Sequence, residues 1–573
     1  MSHMVSIAGA ESARPAAPAA ARRTDAKTLL RGQFEPRRIS LRKPVNVGLM
    51  AELAAEKFGR VPLYLDQPFA WDPQQRVELD YVECATLVGQ MSAVFAAAGV
   101  KRWDRVAIVK TPNYDVQSLA WAAARIGAIP ALISARLDPD IVNILLDRLQ
   151  PRFIVTDPDV ARYARLDAVR LRALNCTAIA SIDGGIPVAD LWGAPVPAPS
   201  PLKDDEPMMI THTSSTTGVS KMAEASAIGV TFSALMESIF PFVHNPDELF
   251  ASAISHVHVR GAVTQLASFS RGTPLLGIGR PDDDTIVRLF SRYRPTIVEA
   301  HPNAFVGWEQ LADDPARPFS SLRVFFNTFD AIHPRTIRRL LAASKRGFPV
   351  WIQCYGMTET QVVSVRVYTR RSAQRLRGSD SRSVGWPVPG VRVRIADPET
   401  GRRRRDQHEP GMIQASTRAR ALSFVGTPEK FSQRRHGKWF DTGDWGRLNR
   451  WRQVEVLDRV ADRIDGVQSC LWIEDVLLDR IPDAEEIVVV PDERGKPVPV
   501  VCMRDGKSLD AATWRTAAAG LTGLGDPFEV KPAELQRTAT VKARRYLLTE
   551  MIKSGDHGRD GTVRPEVVLR DGA

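Results

Sequence analysis

The chain has 573 residues, 44% of them hydrophobic, so it is long enough to fill more than one core. Its formal charge of +11 comes from basic residues spread along the whole chain, which does not favour a nucleic-acid partner. Its five scattered cysteines include no C-x-x-C pair, and no apolar run is long enough to span a membrane. These features predict a multidomain protein of the reducing cytoplasm, without disulfides, a zinc site or a membrane partner.

The pattern in the first third of the chain predicts the fold class. Residues 105–109, 129–133 and 153–155 are apolar runs typical of buried strands, and helical patterns separate them at 114–126 and 138–149. Alternation of strand and helix predicts a mostly parallel sheet with helices on its faces.

The remaining chain predicts the domain organisation. A similar alternation returns between Ile286 and Cys354, whereas residues 384–457 have short β-rich runs separated by Pro and Gly, typical of a small barrel or twisted sheet. After Asp458 the chain is mixed α+β and charged. We therefore predict an α/β protein with a disordered N-terminal segment, a large domain of mostly parallel sheets that includes the β-barrel-like subdomain, and a small mobile α+β lid. Their expected bounds are 1–40, 41–457 and 458–573.

The segment 211–221 is the strongest chemical signal in the chain. It reads Thr-His-Thr-Ser-Ser-Thr-Thr-Gly-Val-Ser-Lys. Hydroxyls, backbone N–H groups and a lysine suit a loop that wraps phosphates. The segment is not a Walker A loop, because G-x-x-x-x-G-K-[ST] is absent. Alone, such a segment is more often a solvated connector, so its interpretation depends on the motifs that follow.

Four further segments follow it in a fixed order. They are Tyr355-Gly356-Met357-Thr358-Glu359, Asp441-Thr442-Gly443-Asp444, Asp458-Arg459 and Thr538-Ala539-Thr540-Val541-Lys542. This order and spacing resemble the adenylate-forming superfamily, which includes acyl- and aryl-CoA ligases, nonribosomal adenylation domains and luciferases. The resemblance covers roughly residues 45–550. It implies an enzyme that attaches AMP from ATP to an acid oxygen with release of pyrophosphate, with Mg2+ at the phosphates.

The resemblance also implies a role for each motif. The expected contacts of the β- and γ-phosphates are Thr213, Ser214, Ser215, Thr216 and Thr217, with added charge from Lys221. Tyr355 is expected to stack on adenine, and Asp444, in a Thr-Gly-Asp turn, and Arg459 to hold the ribose. Thr358 is expected to bond the α-phosphate, Glu359 to bind Mg2+, and Lys542 to neutralise the charge that develops during transfer.

The phosphate loop departs from the family pattern Ser-Gly-Thr-Thr-Gly-x-Pro-Lys-Gly. Ser215 replaces the first Gly, Ser220 the Pro and Met222 the last Gly. The first replacement matters most, because glycine permits backbone conformations that serine resists. Near the C-terminus, Val541 replaces the usual Gly before the lysine.

Other residues bear on the substrate. His256 and His258 are two residues apart, which predicts that both lie on one face of a strand. Such a pair could bind a metal, or serve as hydrogen-bonded interior histidines. By resemblance His258 lines the acid pocket near the α-phosphate. Arg260 introduces a guanidinium and Asp330 a carboxylate, which could hold the acid and amine ends of a small substrate, or serve structure alone.

The lid segment bears on the acceptor. CoA ligases usually carry Asp or Lys at the hinge and a glycine in the pantetheine loop, whereas this chain has Ala461 and Gln468 there. The nearby Asp465-Gly466 could shift that alignment by two residues. The sequence thus slightly favours an amine acceptor, as in amide-forming enzymes or the ATP-dependent diazotases that transfer activated nitrite to an aryl amine, and makes CoA doubtful. The alternatives are an acyl- or aryl-CoA ligase and a non-catalytic nucleotide-binding protein.

Overall fold

The computed structural model describes residues 39–213, 219–239, 243–376, 382–532, 534–537 and 543–554, without the Asp505 side chain. The expected disorder of residues 1–40 concerns a segment that lies almost entirely outside the described residues. The strands, β1 to β24 in chain order, are Pro62–Leu65, Glu78–Asp80, Arg105–Ile108, Ile129–Leu132, Phe153–Val155, Thr177–Ile179, Pro207–His212, Met222–Ser226, Phe250–Ala253, Leu275–Gly277, Ile297–Ala300, Val324–Asn327, Val350–Met357, Gln361–Thr369, Trp386–Pro387, Arg392–Ala396, Gly411–Ser416, Phe424–Val425, Arg435–His436, Trp439–Leu448, Val454–Arg459, Ala484–Pro491, Pro497–Met503 and Phe528–Val530.

The described α-helices lie between these strands and after the last one. In chain order, α1 to α17 are Val47–Phe58, Tyr81–Ala97, Asp115–Arg125, Pro139–Leu149, Pro158–Tyr163, Ala168–Ala173, Val188–Leu191, Ala227–Ser238, Val259–Arg271, Asp283–Tyr293, Pro302–Gly307, Pro334–Ala343, Arg370–Ala373, Pro428–Gln433, Cys470–Arg480, Ala511–Ala517 and Arg545–Ser554. The predicted alternation of strand and helix over residues 105–155 is confirmed as β3, α3, β4, α4 and β5.

Two large sheets form the scaffold of the N-terminal part. One has nine strands in the order β15-β14-β13-β12-β11-β9-β10-β1-β2, and the other seven in the order β18-β8-β7-β4-β3-β5-β6. The central strands β9, β11 and β12 are buried along their whole length, as expected where helices cover both faces of a parallel sheet. The predicted α/β class is therefore confirmed.

Residues 392–459 form the β-rich part that the turn residues predicted. Its five strands are antiparallel, in the order β16-β17-β20-β19, with β21 also paired to β20. The C-terminal part combines the sheet β22-β23-β24 with α15 to α17, which agrees with the predicted α+β lid. No described helix is long and apolar enough to cross a membrane, and all five cysteines are free thiols.

The topology brings chemically useful residues to a common edge. Strands β9, β11, β12 and β13 are parallel neighbours, so their carboxyl ends lie on the same side of the sheet. The segments that leave these strands carry His258, His301, Phe329 and Thr358. Strand β7 of the other sheet ends at His212.

Two local predictions are wrong. His256 and His258 lie not on a strand but in the turn between β9 and α9, because the chain leaves the sheet at Ala253 and starts a helix after His258, its N-cap. Asp444 lies not in a turn but within β20, where it is paired with Arg459 of β21. The register with β17 shifts at this place, and Gly443 has a φ of +78°.

Candidate active site

A large cleft runs along the edge formed by these strand ends. It is lined by Tyr355, Asp444 and Arg459, by Phe329 and Asp330 after β12, and by residues of the C-terminal part such as Glu474. The cleft therefore collects several of the residues that the sequence singled out separately.

Tyr355, Asp444 and Arg459, here called the Asp444 cluster, form one hydrogen-bonded group. The Tyr355 hydroxyl donates to Asp444 Oδ2 at 2.6 Å, and Arg459 Nε lies 3.0 Å from Asp444 Oδ1. Register places Arg459 on β21 directly opposite Asp444 on β20. Burial and the Asp444 charge raise the pKa of the Tyr355 phenol well above 10, so the phenol remains a neutral donor. Asp444 also raises the pKa of the Arg459 guanidinium.

The ends of the predicted phosphate loop are tied together. The Thr213 N–H donates to the Lys221 carbonyl at 2.8 Å, and the Lys221 N–H donates to Thr213 Oγ1 at 3.1 Å. Ser214, Ser215, Thr216 and Thr217 lie outside the described residues. Burial and then nearby Arg434 lower the pKa of Lys221.

Glu359 lies beside this loop and forms an ion pair that the sequence did not predict. Arg434 Nη1 donates to Glu359 Oε1 at 2.7 Å, and the Glu359 side chain is 6% exposed. Both Glu359 and Arg434 act electrostatically on Lys221. Thr358, the predicted α-phosphate contact, is partly exposed in the turn just after β13.

A single carboxylate beside phosphates fits the way that Mg2+ usually binds, with the remaining ligands from phosphate oxygens and water. Glu359 would hold the ion. Because Glu359 also pairs with Arg434, Mg2+ would displace this guanidinium or share the carboxylate with it. The described residues contain no group of three or more His, Cys, Asp or Glu side chains arranged to hold a metal, and this includes the surroundings of His256 and His258.

Imidazoles and an aromatic ring meet where the two sheets approach each other. The ring of His258 lies 5.3 Å from His212 and 5.2 Å from Phe329, whose ring lies 4.3 Å from His301. His212 Nε2 accepts from the Ser134 N–H at 3.2 Å, so its Nδ1–H donates to the Thr213 carbonyl. This bond links the histidines to the phosphate loop.

His212 and His258 are neutral at physiological pH. Burial lowers the pKa of His212 to about 4, and burial followed by the neighbouring His212 and His301 lowers the pKa of His258 well below 6.5. His258 Nε2 is buried and has no hydrogen-bond partner among the described residues. A neutral ring with an unused nitrogen can orient a small polar ligand, but it is a weak base.

Arg260 lies at the centre of a buried group of charges. With Glu237, His244 and Glu299 it forms what we call the Arg260 cluster. Arg260 Nη1 donates to Glu237 Oε2, and Arg260 Nε donates to Glu299 Oε1 at 2.6 Å. His244 Nε2 lies 2.7 Å from Glu237 Oε1. All four side chains are at most 9% exposed.

Glu237 and Arg260 hold their charges in spite of burial. The Arg260 guanidinium and His244 lower the pKa of Glu237 to about 2, which exceeds the opposing effect of burial. Glu237 and Glu299 in turn raise the pKa of Arg260. Thr264 and Thr328 donate to Glu299 at 2.8 and 3.1 Å. Arg260 Nη2 remains buried without a partner among the described residues.

Asp330 differs from the Arg260 cluster in its exposure. It is exposed on the cleft wall, and its Oδ1 accepts from the Ala331 N–H at 2.9 Å. The predicted pairing of Arg260 and Asp330 at the two ends of one substrate stays a prediction. The carboxylates that contact Arg260 are instead Glu237 and Glu299.

The residues that bear on the transfer step are only partly described. Lys542 lies outside the described residues. Ala461 lies in a short 3₁₀ turn after β21, and Gln468 is exposed before α15. Gly466 adopts φ +77° with open space where a Cβ would be, so it is the residue of this segment whose backbone favours glycine.

The sequence analysis missed Arg434, Glu237, His244 and Glu299. None lies in a recognisable motif, and the distance in sequence to the partner varies from 7 residues between Glu237 and His244 to 75 between Glu359 and Arg434. The sequence signal that could have identified them is a charged residue among apolar neighbours in an element that is otherwise buried.

A family model described as "AMP-binding enzyme" matches residues 54–419. The chain belongs to this family of adenylate-forming enzymes, and the predicted ATP-dependent, AMP-forming ligase class is confirmed. It is 35% identical over 542 residues to a 3-amino-2-hydroxy-4-methoxybenzoate diazotase of Streptomyces cremeus, covering 90% of this chain and 97% of that one.

More distant relatives include CoA ligases. A 3-hydroxybenzoate–CoA ligase of an Aromatoleum species is 24% identical over 491 residues, covering 83% of this chain and 92% of that one. Among solved structures, the anthranilate CoA ligase AuaEII in complex with anthranoyl-AMP has a TM-score of 0.76 at 17% identity, covering 91% of this chain and 99% of that one. This likeness concerns the fold.

Proposed function

We propose that this adenylate-forming enzyme is a diazotase that activates nitrite with ATP and transfers the nitroso group to an aryl amine. The observation that carries the proposal is the 35% identity to a diazotase along nearly the whole of both chains, compared with 24% to a CoA ligase. The buried charges of the Arg260 cluster support a polar aromatic substrate rather than a long acyl tail.

The reaction needs two transfers. A nitrite oxygen attacks the α-phosphorus of ATP, and pyrophosphate leaves. The amine nitrogen then bonds to the nitroso nitrogen, the N–O bond to AMP breaks, and AMP leaves with that oxygen. Loss of an N–H proton gives a neutral N-nitroso amine, which tautomerises to a diazohydroxide. Protonation of its hydroxyl and departure of water then give the diazonium ion. Each transfer requires the reacting atoms to be held in line and water to be kept away.

The residues divide this work. Thr213, Ser214, Ser215, Thr216, Thr217 and Lys221 would bind the β- and γ-phosphates, with Thr358 at the α-phosphate. Tyr355, Asp444 and Arg459 would hold the adenosine, and the Glu359 carboxylate would hold Mg2+, which offsets phosphate charge. Lys542 would stabilise the negative charge that develops during transfer.

His258 would orient the small reactants. Its unused Nε2 lies at the junction of the phosphate loop and the substrate pocket, within ring contact of His212. Because its pKa is well below 6.5, we assign it a hydrogen bond to nitrite or the amine and not removal of a proton.

Diazotisation requires no CoA channel. Gln468 supports an acceptor other than CoA only if the glycine of the pantetheine loop aligns with position 468. The positive φ of Gly466 favours an alignment of that glycine with Gly466 instead. We therefore rest the acceptor on the identity to the diazotase and not on the lid.

Product analysis tests the proposal. The full chain is incubated with ATP, Mg2+, ¹⁵N-nitrite and a panel of aryl amines, and pyrophosphate is measured beside a coupling reagent that traps diazonium ions as azo dyes. We expect pyrophosphate release that depends on nitrite, and an azo product that carries one ¹⁵N.

Parallel reactions replace nitrite by aryl acids, with CoA or with amines alone. A CoA thioester formed at the rate of pyrophosphate release would restore the aryl-CoA ligase assignment. An amide formed without nitrite would make the chain an amide synthetase. Nucleotide binding without pyrophosphate release under any of these conditions would favour a non-catalytic protein.

A further inference from the structure

Phe329 places an aromatic ring in the wall of the cleft. It lies two residues after β12, and its side chain is half-buried. In the described part of the chain, the other phenyl and phenol rings that line the cleft belong to Phe319 and Tyr355. Phe319 is 1% exposed, and the Tyr355 hydroxyl is held by Asp444. Phe329 is therefore the partly open ring of this wall to which no ligand has yet been assigned.

One side of the Phe329 ring is packed against two imidazoles. Its centroid lies 4.3 Å from the ring of His301 and 5.2 Å from the ring of His258. Both histidines are buried, and neither is among the described residues that line the cleft. The phenyl ring therefore lies between these histidines and the cleft, with its other side toward the open space.

The backbone of Phe329 adopts an unfavourable conformation. Its φ of +78° lies in the left-handed region, which glycine adopts readily and a bulky residue resists. The neighbouring residues enforce it, because Asn327 Nδ2 donates to the Asp330 carbonyl at 2.8 Å and Thr328 Oγ1 donates to Glu299 Oε1 at 3.1 Å. Such conformations persist where the surroundings fix them, and they concentrate at ligand sites. A ring held in the cleft wall at this cost favours a function for the ring itself.

The position of Phe329 relative to the proposed nucleotide site suits the second substrate. The next residue, Asp330, acts electrostatically on Arg459 of the Asp444 cluster, which is assigned to the ribose. On the other side, the imidazole contacts continue through His212 to the phosphate loop. Phe329 therefore lies between the proposed adenosine and phosphate sites, where the activated nitrite would form.

The cleft has the space and the chemistry for a ring beside Phe329. Its volume is about 1470 Å³, so a single-ring amine fits there beside a nucleotide. Two aromatic rings prefer an offset-stacked or edge-to-face arrangement, which stabilises the pair beyond the apolar area that it buries. An aliphatic amine cannot gain this part of the interaction, so the ring of Phe329 favours an aromatic ligand.

We propose that the aryl amine packs its ring on the cleft side of Phe329, with its amino group toward the activated nitrite. Phe329 is then a substrate-binding residue that sets the position of the ring and selects aromatic over aliphatic amines. The inference rests on the proposed use of an aryl amine, and it gives the ring of that substrate a place in the cleft.

Equilibrium binding tests the inference without turnover. The full chain with AMP but no nitrite is titrated with a set of fluorinated anilines, some of which also carry a hydroxyl or a carboxylate, and ¹⁹F NMR gives each Kd. The tightest ligand is then added to a chain whose phenylalanines are isotopically labelled. We expect nuclear Overhauser effects between the ligand ring and one phenylalanine ring, which are lost when Phe329 is replaced.

Phe329→Leu removes the ring and keeps an apolar side chain. We expect it to weaken binding of the aniline by about three- to tenfold, with a much smaller effect on AMP affinity. Phe329→Tyr keeps the ring and should retain most of the affinity. The matched control is Phe348→Leu, because Phe348 is 92% exposed and is not among the residues that line the cleft. It should bind the aniline as the wild-type chain does.

Three results would overturn the inference. The first is a wild-type chain that binds none of the anilines, or binds them without contact to a phenylalanine ring, a result that needs no variant. The second is an unchanged aniline Kd in Phe329→Leu with unaltered AMP affinity, which shows that the variant is folded. The third is an equal loss of aniline and AMP affinity in that variant, which would make the ring structural.

The outcome for Phe329 is distinguishable from the outcome for the proposed reaction. An azo product that wild type and Phe329→Leu form equally well at low amine concentration would overturn the stacking surface and leave the diazotase assignment in place. Binding of anilines that depends on Phe329 in a chain that forms no diazonium would contradict the reaction and leave the stacking surface in place.

Discussion

The Asp444 cluster and the Arg260 cluster both join an arginine to carboxylates, but they differ in exposure and in origin. The Arg459 side chain is 42% exposed, and its cluster has one carboxylate, Asp444, for one guanidinium. Arg260 is 9% exposed and has two carboxylates for one guanidinium. The first cluster lies on three strands, two of them paired, whereas the second draws on two helices, a strand and the segment of His244.

The difference lies in how easily each cluster can open. Asp444 is 5% exposed, but its partner Arg459 is 42% exposed, so this pair can open toward the cleft at a smaller cost than a fully enclosed group. The Arg260 cluster cannot rearrange cheaply, because loss of one partner leaves a charge buried in a medium of low dielectric. The Arg260 cluster is therefore a fixed part of the structure.

The largest expected effect lies in neither cluster. If both clusters bind ligands and do not carry the transfer step, Lys542→Ala should lower the rate of AMP transfer by about 100-fold or more, comparable to loss of an electrostatic transition-state group. ATP affinity should change little. Single-turnover pyrophosphate release measures this, and a near-normal rate in the variant would remove Lys542 from the mechanism.

Exchanging charges in the two clusters should separate their ligands. Asp444→Asn should lower the affinity for ATP by about 10- to 100-fold, because a charged hydrogen-bond acceptor for the ribose is lost. Glu299→Gln should leave ATP affinity nearly unchanged and alter aryl amine affinity instead. Kd values for ATP and for an aryl amine, measured in both variants, check this; equal effects of both changes on both ligands would contradict the division.

A smaller effect concerns Glu359, the proposed Mg2+ ligand. Glu359→Gln should raise the Mg2+ concentration needed for half-maximal pyrophosphate release by about tenfold, because a neutral amide is a poorer ligand for a hard cation. Since Arg434 pairs with Glu359, Arg434→Gln serves as the comparison variant and should not raise that requirement. An unchanged Mg2+ titration in Glu359→Gln would exclude it as a ligand.

The smallest expected effect concerns the buried side chain of His256. Burial lowers the pKa of His256 to about 4 from 6.5, so the unfolded chain binds the proton more tightly and stability falls as pH drops from 6.5 toward 4. Between pH 7 and 5 this costs about 2 kcal/mol at this site. His256→Gln should therefore reduce the acid shift of the thermal midpoint by a few degrees.

The control for this measurement is the exposed His408→Gln, which should keep the wild-type pH dependence. A midpoint that falls equally with pH in wild type and His256→Gln would show that other groups account for the acid sensitivity.

Much of the fold followed from local patterns. The strands and helices between residues 105 and 155 were placed within a residue or two, because alternating apolar runs and helical periods are local properties. The histidine turn and the Asp444 strand were misplaced, because a spacing of two fits more than one backbone and a Thr-Gly-Asp motif resembles a turn. Pairing with β21 decided the position of Asp444, and the start of α9 decided that of His258.

The sequence by itself determined the family and the α/β class, because those signals lie in contiguous segments. The tertiary structure decided what surrounds them. It gave Glu359 its Arg434 partner and joined Tyr355 to Asp444. It also placed Glu237 and Glu299 against Arg260, so that carboxylates of the protein itself accept from two of the guanidinium nitrogens. Electrostatic balance at a buried site depends on every charge within a few ångströms, and only folding brings residues so far apart in sequence to that distance.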